Sequence, residues 1–284
     1  MSEKPEIPHV IHYCWFGGNP LGDDEQRCIR SWQEFLPNYE IKRWDESNFD
    51  VRCCAYVSEA YDSEKWAFVS DYARFKILYE EGGLYFDTDV ELIRSIDDIV
   101  KAGPFMGCEA DKSDMAGSDQ GEMLPMVAPG LGLGAYPGSD LYREILDSYE
   151  GDRFLRADGS TDLTTVVVRV TSILAKHGLR QLNGVQNVGG ISIYPAEFFN
   201  PKDYWTGDVV LTENTRSIHH YKASWHDEQE MEEKHLTSVF IDLGISIKAS
   251  AMLAKMVMIV RYCQFDRLLR IAKRKAYHAL KRDA

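Results

Sequence analysis

Positive charge is scarce over most of this chain. Its 284 residues carry 32 Lys and Arg against 45 Asp and Glu, a formal net charge of −13. That balance argues against nucleic-acid binding over the whole surface, because phosphate contacts need clustered basic side chains. Metal-binding cysteine patterns are missing too: the six cysteines include the adjacent Cys53 and Cys54 but no CxxC pair and no Cys/His zinc spacing. Reduced thiols filling the core are expected. Long apolar runs are also absent; the best, Ala249 to Val260, is interrupted by Lys255 and falls short of the ~20 residues a membrane span needs. The opening MSEKPEIPHVIHYCW has no long apolar segment behind a basic stretch, so a cytoplasmic location is expected.

What is present is ordinary for a globular chain, with 44% hydrophobic and 27% charged residues. His9 to Phe16 reads as a buried strand halted by Gly17-Gly18, Asp24 to Phe35 as a helix, and Tyr39 to Trp44 as a second strand. This β-α-β opening predicts an α/β fold whose ligands lie at the carboxyl ends of the strands. Ser63 to Glu81 reads as a helix stopped by Gly82-Gly83, and Leu84 to Phe86 as a short strand. Further helices are expected at Ser139 to Tyr149 and Leu163 to His177, with a loop rich in Gly, Asp, Met and Pro from Gly103 to Gly138. Within that loop PGLGLG, residues 129 to 134, suits either an ordinary turn or close backbone approach to a ligand.

The stretch EEGGLYFDTDVEL places Asp87 and Asp89 one residue apart beyond a buried strand. Alone, the pattern equally suits a solvated turn; held near a core, two unpaired carboxylates would cost several kcal/mol, a cost that a hard divalent cation relieves. Asp71 and Arg74, at i and i+3 on the preceding helix, share a face and could be no more than a surface ion pair. A strand followed by DxD also occurs in aspartyl phosphotransferases, which typically carry Thr or Val where this chain has Glu91.

Three blocks together resemble glycosyltransferase family 32: SDYAR…GGLYFDTD, HYCWFGG at residues 12 to 18, and SIHHYKASW at residues 217 to 225. The resemblance implies a GT-A-like fold with a mixed, mainly parallel sheet. It also implies retaining transfer of a hexose from a UDP- or GDP-sugar to a saccharide or lipid-linked acceptor, in capsule, polysaccharide or glycolipid synthesis. By resemblance, Asp87, Asp89 and His219 hold Mn²⁺ or Mg²⁺, Trp15 stacks on the base, and Asp71 and Arg74 take the donor sugar hydroxyls. Arg74 also lies near the phosphates, Tyr85 lines the pocket, and Ser224 and Trp225 close over the diphosphate. For His220 a plain structural role is expected, and Tyr85 suits a core position equally well. A non-catalytic carbohydrate-binding adaptor on a transferase fold is the alternative, against which the intact Asp87, Asp89, Arg74 and His219 speak.

Composition changes sharply near Leu243. Residues 243 to 284 hold ten Lys or Arg against Asp266 and Asp283, a net +8 that leaves −21 on the rest. A division into residues 1–242, catalytic, and 243–284, a basic helical tail, is therefore expected. From Phe265 to Leu280 the apolar residues follow helical spacing, which fits either a helix on an anionic membrane surface or one packed on the acidic domain.

Overall fold

The computed structural model describes residues 5–113, 123–222 and 228–262. In chain order the elements are β1 (Val10–Cys14), α1 (Asp23–Phe35), β2 (Glu40–Trp44), α2 (Ala55–Asp62), α3 (Trp66–Glu81), β3 (Gly83–Tyr85), β4 (Val90–Leu92), α4 (Asp97–Ala102), β5 (Phe105–Ser113) and β6 (Leu124–Val127). After them come β7 (Leu133–Ala135), α5 (Asp140–Glu150), α6 (Val166–Lys176), β8 (Gln186–Val188), β9 (Ile191–Tyr194), α7 (Ala196–Phe199), β10 (Ser217–His219), α8 (Glu228–Asp242) and α9 (Ile247–Arg261).

The main sheet runs β2-β1-β3-β7-β5-β9-β8, with β6 paired to β5. Strands β1, β2, β3, β5 and β9 point one way, while β6, β7 and β8 are reversed. The sheet is mixed and mainly parallel, which fits the GT-A-like expectation. One apolar cluster packs Tyr56, Phe75 and Tyr142 on one side of it; another packs Trp32, Phe86 and Phe199. Strand β10 lies apart, paired antiparallel with β4.

The segment read as a loop from Gly103 to Gly138 instead contributes β5, β6 and β7. Three of its glycines misled because they sit in or beside strands, against aromatic rings. A Cβ on Gly134 would stand 2.3 Å from the Phe105 ring, one on Gly107 3.0 Å from Phe199, and one on Gly132 3.2 Å from Phe86. They are packing positions, not breaks in the chain. Helix α2 was also unassigned from the sequence, and α3 starts at Trp66 because the turn that ends α2 puts Glu64 at φ 56°. The expected stop holds: Gly82 and Gly83 have φ of 68° and 99°, and a side chain on Gly83 would strike the Val10 carbonyl at 2.7 Å.

The described residues divide into two compact units, 5–202 with 209–222, and 203–208 with 228–262. The composition change at Leu243 falls inside the second unit, in the turn between α8 and α9, so α8 groups with the tail side and not with residues 1–242. Helices α8 and α9 pack on each other, tied by an Arg261–Glu232 ion pair and by Tyr262 Oη donating to Glu232 at 2.7 Å. Among the described residues no helix is long and apolar enough to cross a membrane. The expected tail helix, Phe265 to Leu280, lies outside the described residues. The five cysteines within them are free thiols.

One buried histidine couples the sheet to pH. His12 is 0% exposed; its Nδ1 accepts from Trp44 Nε1 at 3.0 Å, so Nε2 carries the proton and donates to Gly82 O at 3.0 Å. Burial drives its pKa down to about 4, and nearby Glu81 only partly opposes the drop. An unfolded chain takes the proton near 6.5 while the folded one refuses it until about 4, so the unfolded state binds more protons across that window and stability falls with pH. The loss attributable to His12 is roughly 3 kcal/mol between pH 7 and 4. Urea midpoints measured across that range should fall less steeply for His12→Gln than for the wild type; equal slopes would refute the assignment.

Candidate functional site

The carboxyl edge of β1 and β3 carries the site. Parallel pairing of His12 with Tyr85 brings the segments leaving both strands to one edge, with Trp15 and the Asp87–Asp89 pair among them. Beyond β3 the chain turns at once: Val90 N–H donates to Asp87 O at 3.0 Å, closing a β-turn over Asp87 to Val90. Asp87 N–H in turn donates to Gly130 O at 2.9 Å, pinning the turn to the PGLGLG segment.

Asp87 is clamped. Arg74 Nη2 lies 3.3 Å from its Oδ1 and 3.0 Å from Asp71 Oδ1, and Tyr85 Oη donates to the same Asp87 oxygen at 3.1 Å. The guanidinium is 3% exposed and rests 5.0 Å from the Tyr85 ring centroid, with Nε donating to Ser70 O at 3.1 Å. Burial alone would lower the Arg74 pKa; Asp87, Tyr85 and Asp71 outweigh it and hold the guanidinium charged. Burial pushes Asp71 up to about 6, against the pull of Arg74. Asp71 and Arg74 are therefore a buried pair facing the DxD turn, not a surface one. Burial likewise raises the Tyr85 pKa, which keeps its hydroxyl a donor.

Asp89 faces the other way, toward β10. Pairing of His219 with Val90 sets the imidazole beside it, Nε2 lying 3.2 Å from Asp89 Oδ2. The backbone N–H of Lys222 donates to that same oxygen at 3.0 Å, and the N–H of His220 to Asp89 O at 2.9 Å. Burial would raise Asp89, but His219 and the Lys222 N–H bring it below its ordinary value. For His219 burial would lower the pKa, and Asp89, Asp87 and Glu109 more than reverse it. His220 takes the structural role expected of it, its Nε2 2.7 Å from Glu91 Oε2. Lys222, which the sequence did not single out, anchors the segment by ion pairs to Asp24 and Glu25 at the start of α1.

Two donors placed cis on an octahedral cation with bonds of ~2.1 Å stand about 3 Å apart, close to the spacing of the Asp89–His219 pair. An oxygen–nitrogen pair of this kind fits Mn²⁺ or Mg²⁺. Asp87 Oδ1 is already engaged by Arg74 and Tyr85, which suits contact through a water or a hydroxyl. Among the described residues no three His, Cys, Asp or Glu side chains stand in ready ligating positions.

Trp15 is partly buried, its Nε1 donating to Asn19 O at 2.6 Å. Ser224 and Trp225 lie outside the described residues. Gly130 is the residue the sequence underread: a Cβ there would stand 1.8 Å from Asp87 Oδ2. The Gly130 backbone closely approaches the Asp87 carboxylate.

Residues 22–106 match the family model described as glycosyltransferase sugar-binding region containing DXD motif. This segment is a glycosyltransferase sugar-binding region. The DXD region holds Asp71, Arg74, Tyr85, Asp87 and Asp89; Trp15, Gly130 and His219 come to it from outside. An uncharacterized glycosyltransferase of Acanthamoeba polyphaga mimivirus is 30% identical over 109 residues, covering 35% of this chain and 42% of that protein. Inositol phosphoceramide mannosyltransferase 3 of Schizosaccharomyces pombe (strain 972) is 29% identical over 107 residues, 35% of this chain and 29% of that protein. The matches thus span less than half the length of either relative. Among solved structures, the PaToxG glycosyltransferase is similar at a TM-score of 0.40 and 14% identity, over 61% of this chain and 70% of that one.

Proposed function

We propose that this chain is a metal-dependent, retaining glycosyltransferase that moves a hexose from a UDP- or GDP-sugar to a saccharide or lipid-linked acceptor. The observation that carries the reading is the split of the DxD turn. Asp89 is paired with His219 for a cation, while Asp87 is held by Arg74 and Tyr85 toward the side where the sugar would lie. The name of the fission yeast relative pairs a mannosyl group with inositol phosphoceramide, which favours a hexose and a lipid-linked acceptor.

A Mn²⁺ or Mg²⁺ held by Asp89 and His219 would supply Lewis acidity to the departing diphosphate. Arg74 stands charged beside that position and stabilises the same developing negative charge, its orientation fixed by Asp71. Asp87 keeps one oxygen for Arg74 and Tyr85 and offers the other to a hydroxyl. Trp15, at the end of β1, presents an indole for the base. Retention follows from substitution on one face of the sugar: the bond from anomeric carbon to phosphate oxygen breaks, the acceptor oxygen bonds to that carbon, and its proton passes to the leaving phosphate.

A hydrolysis screen of UDP- and GDP-sugars tests the reading. Turnover should vanish with excess chelator and return with Mn²⁺, and Asp89→Ala should cost more than Asp87→Ala, about 100-fold or more. Full activity in chelator would remove the metal from the reading, and equal losses in the two variants would remove Asp89 as the direct ligand.

A further inference from the structure

Beside the DxD turn three polar groups have no partner among the described residues. Asn200 follows α7 and is 7% exposed. Its amide nitrogen is fully used, Nδ2 donating to Glu109 O at 3.1 Å and to Tyr221 Oη at 2.5 Å. Its Oδ1, fixed in orientation by those two bonds, is buried and accepts nothing among the described residues. The His219 ring lies tilted against Tyr221, centroids 4.3 Å apart, and turns Nε2 to Asp89, which leaves Nδ1 buried and without a partner among the described residues. Glu109, whose backbone the Asn200 amide grips, ends in a half-buried carboxylate that no hydrogen bond or ion pair satisfies among the described residues. Burial raises its pKa, with His219 opposing the rise.

Buried polar groups are satisfied in the great majority of cases, so a cluster of exceptions calls for a ligand. The chemistry of these atoms selects it. A carboxylate and an amide oxygen can only accept, and with Nε2 given to a cation beside Asp89 the imidazole Nδ1 carries the proton and donates, a pattern that a hydroxyl group, donor and acceptor at once, satisfies. The matching ligand presents several donors at short spacing and no negative charge. Phosphates and carboxylates fail that test; neighbouring hydroxyls of a sugar ring meet it.

We propose that Glu109, Asn200 Oδ1 and His219 Nδ1 form a saccharide-hydroxyl subsite beside the DxD turn, in which Glu109 fixes the orientation of the sugar. The proposal rests on the transferase reading above. Glu109 sits on β5 in the bulged stretch paired with β6, and the Asn200 amide holds its carbonyl, which fixes the backbone that carries the carboxylate, as an orienting group requires.

The test uses the full chain with Glu109→Gln and Glu109→Leu, and three probes: Mn²⁺, the free nucleoside diphosphate, and the nucleotide-sugar that the wild type turns over. Affinities for Mn²⁺ and diphosphate should stay within about twofold, while kcat/KM for the nucleotide-sugar falls about 10- to 100-fold in Glu109→Leu, the loss of a charge-assisted hydrogen bond. Glu109→Gln should recover part of that loss, because its amide oxygen still accepts from a hydroxyl. Both variants should melt no lower than the wild type, since the half-buried carboxylate makes no hydrogen bond or ion pair to the described residues. Unchanged kcat/KM in both would overturn the subsite. So would a lowered melting point with weaker diphosphate binding, the mark of a structural role, or a loss of Mn²⁺ affinity, the mark of a cation ligand. A wild type that turns over no nucleotide-sugar defeats the transferase reading and the subsite together; an active wild type beside unaffected variants defeats the subsite alone.

Discussion

Gly130→Ala should reduce donor turnover by about 100-fold or more, although the residue need never touch substrate. The added Cβ would lie 1.8 Å from Asp87 Oδ2 and 2.8 Å from its Cγ, with Arg74 Nη1 at 3.3 Å behind them. One of these must move. Gly130 itself is held, its carbonyl accepting from Asp87 N–H at 2.9 Å and the adjoining turn closed by Leu131 N–H to Ala128 O at 3.1 Å. The carboxylate is the movable part, so the methyl group swings Asp87 away from Arg74 and Tyr85. A displacement of about 1 Å in a positioning group is enough for a loss of this size. Near-wild-type turnover in a folded Gly130→Ala protein would show that Asp87 can relax without consequence, and the clamp would lose its claimed role.

Removing the charge at the centre of the clamp has the second large effect. Arg74→Met leaves Asp71 and Asp87 facing each other without a cation between them, and Asp71 is 9% exposed. Breaking a buried ion pair from one side costs about 3–5 kcal/mol, because the remaining charge stays desolvated. Donor turnover should be lost with it. Adding Asp71→Asn removes one of the stranded charges, so the double variant should regain part of the stability and none of the activity. Chemical denaturation of the three proteins separates these contributions. An Arg74→Met protein as stable as the wild type would mean that the pair is solvated after all. Full recovery of turnover in the double variant would mean that Arg74 serves folding alone.

The sequence by itself determined the local pieces of this site. The β-branched and aromatic run HVIHYCWF, the double glycine after the helix of Asp71 and Arg74, and the apolar run before Asp87 each fix backbone conformation over a few residues, and each element stands within a few residues of where those signals put it. The i, i+3 spacing of Asp71 and Arg74 follows from helix geometry alone. Only the tertiary structure decided which pieces meet. Pairing of β10 with β4 brings His219 to Asp89, parallel pairing of β1 with β3 brings Trp15 to the same edge, and the turn at Gly130 closes on Asp87. None of these contacts leaves a local trace, because each joins residues far apart in the chain. The glycines of residues 103–138 show why composition misreads such a segment. Gly107, Gly132 and Gly134 read as flexible loop by type, yet they are required by the rings of Phe199, Phe86 and Phe105, which arrive from elsewhere. Glu109 and Asn200 were invisible for the same reason: an unsatisfied carboxylate or amide oxygen is recognised only when every partner it could have had is accounted for, and that account exists only in the folded chain.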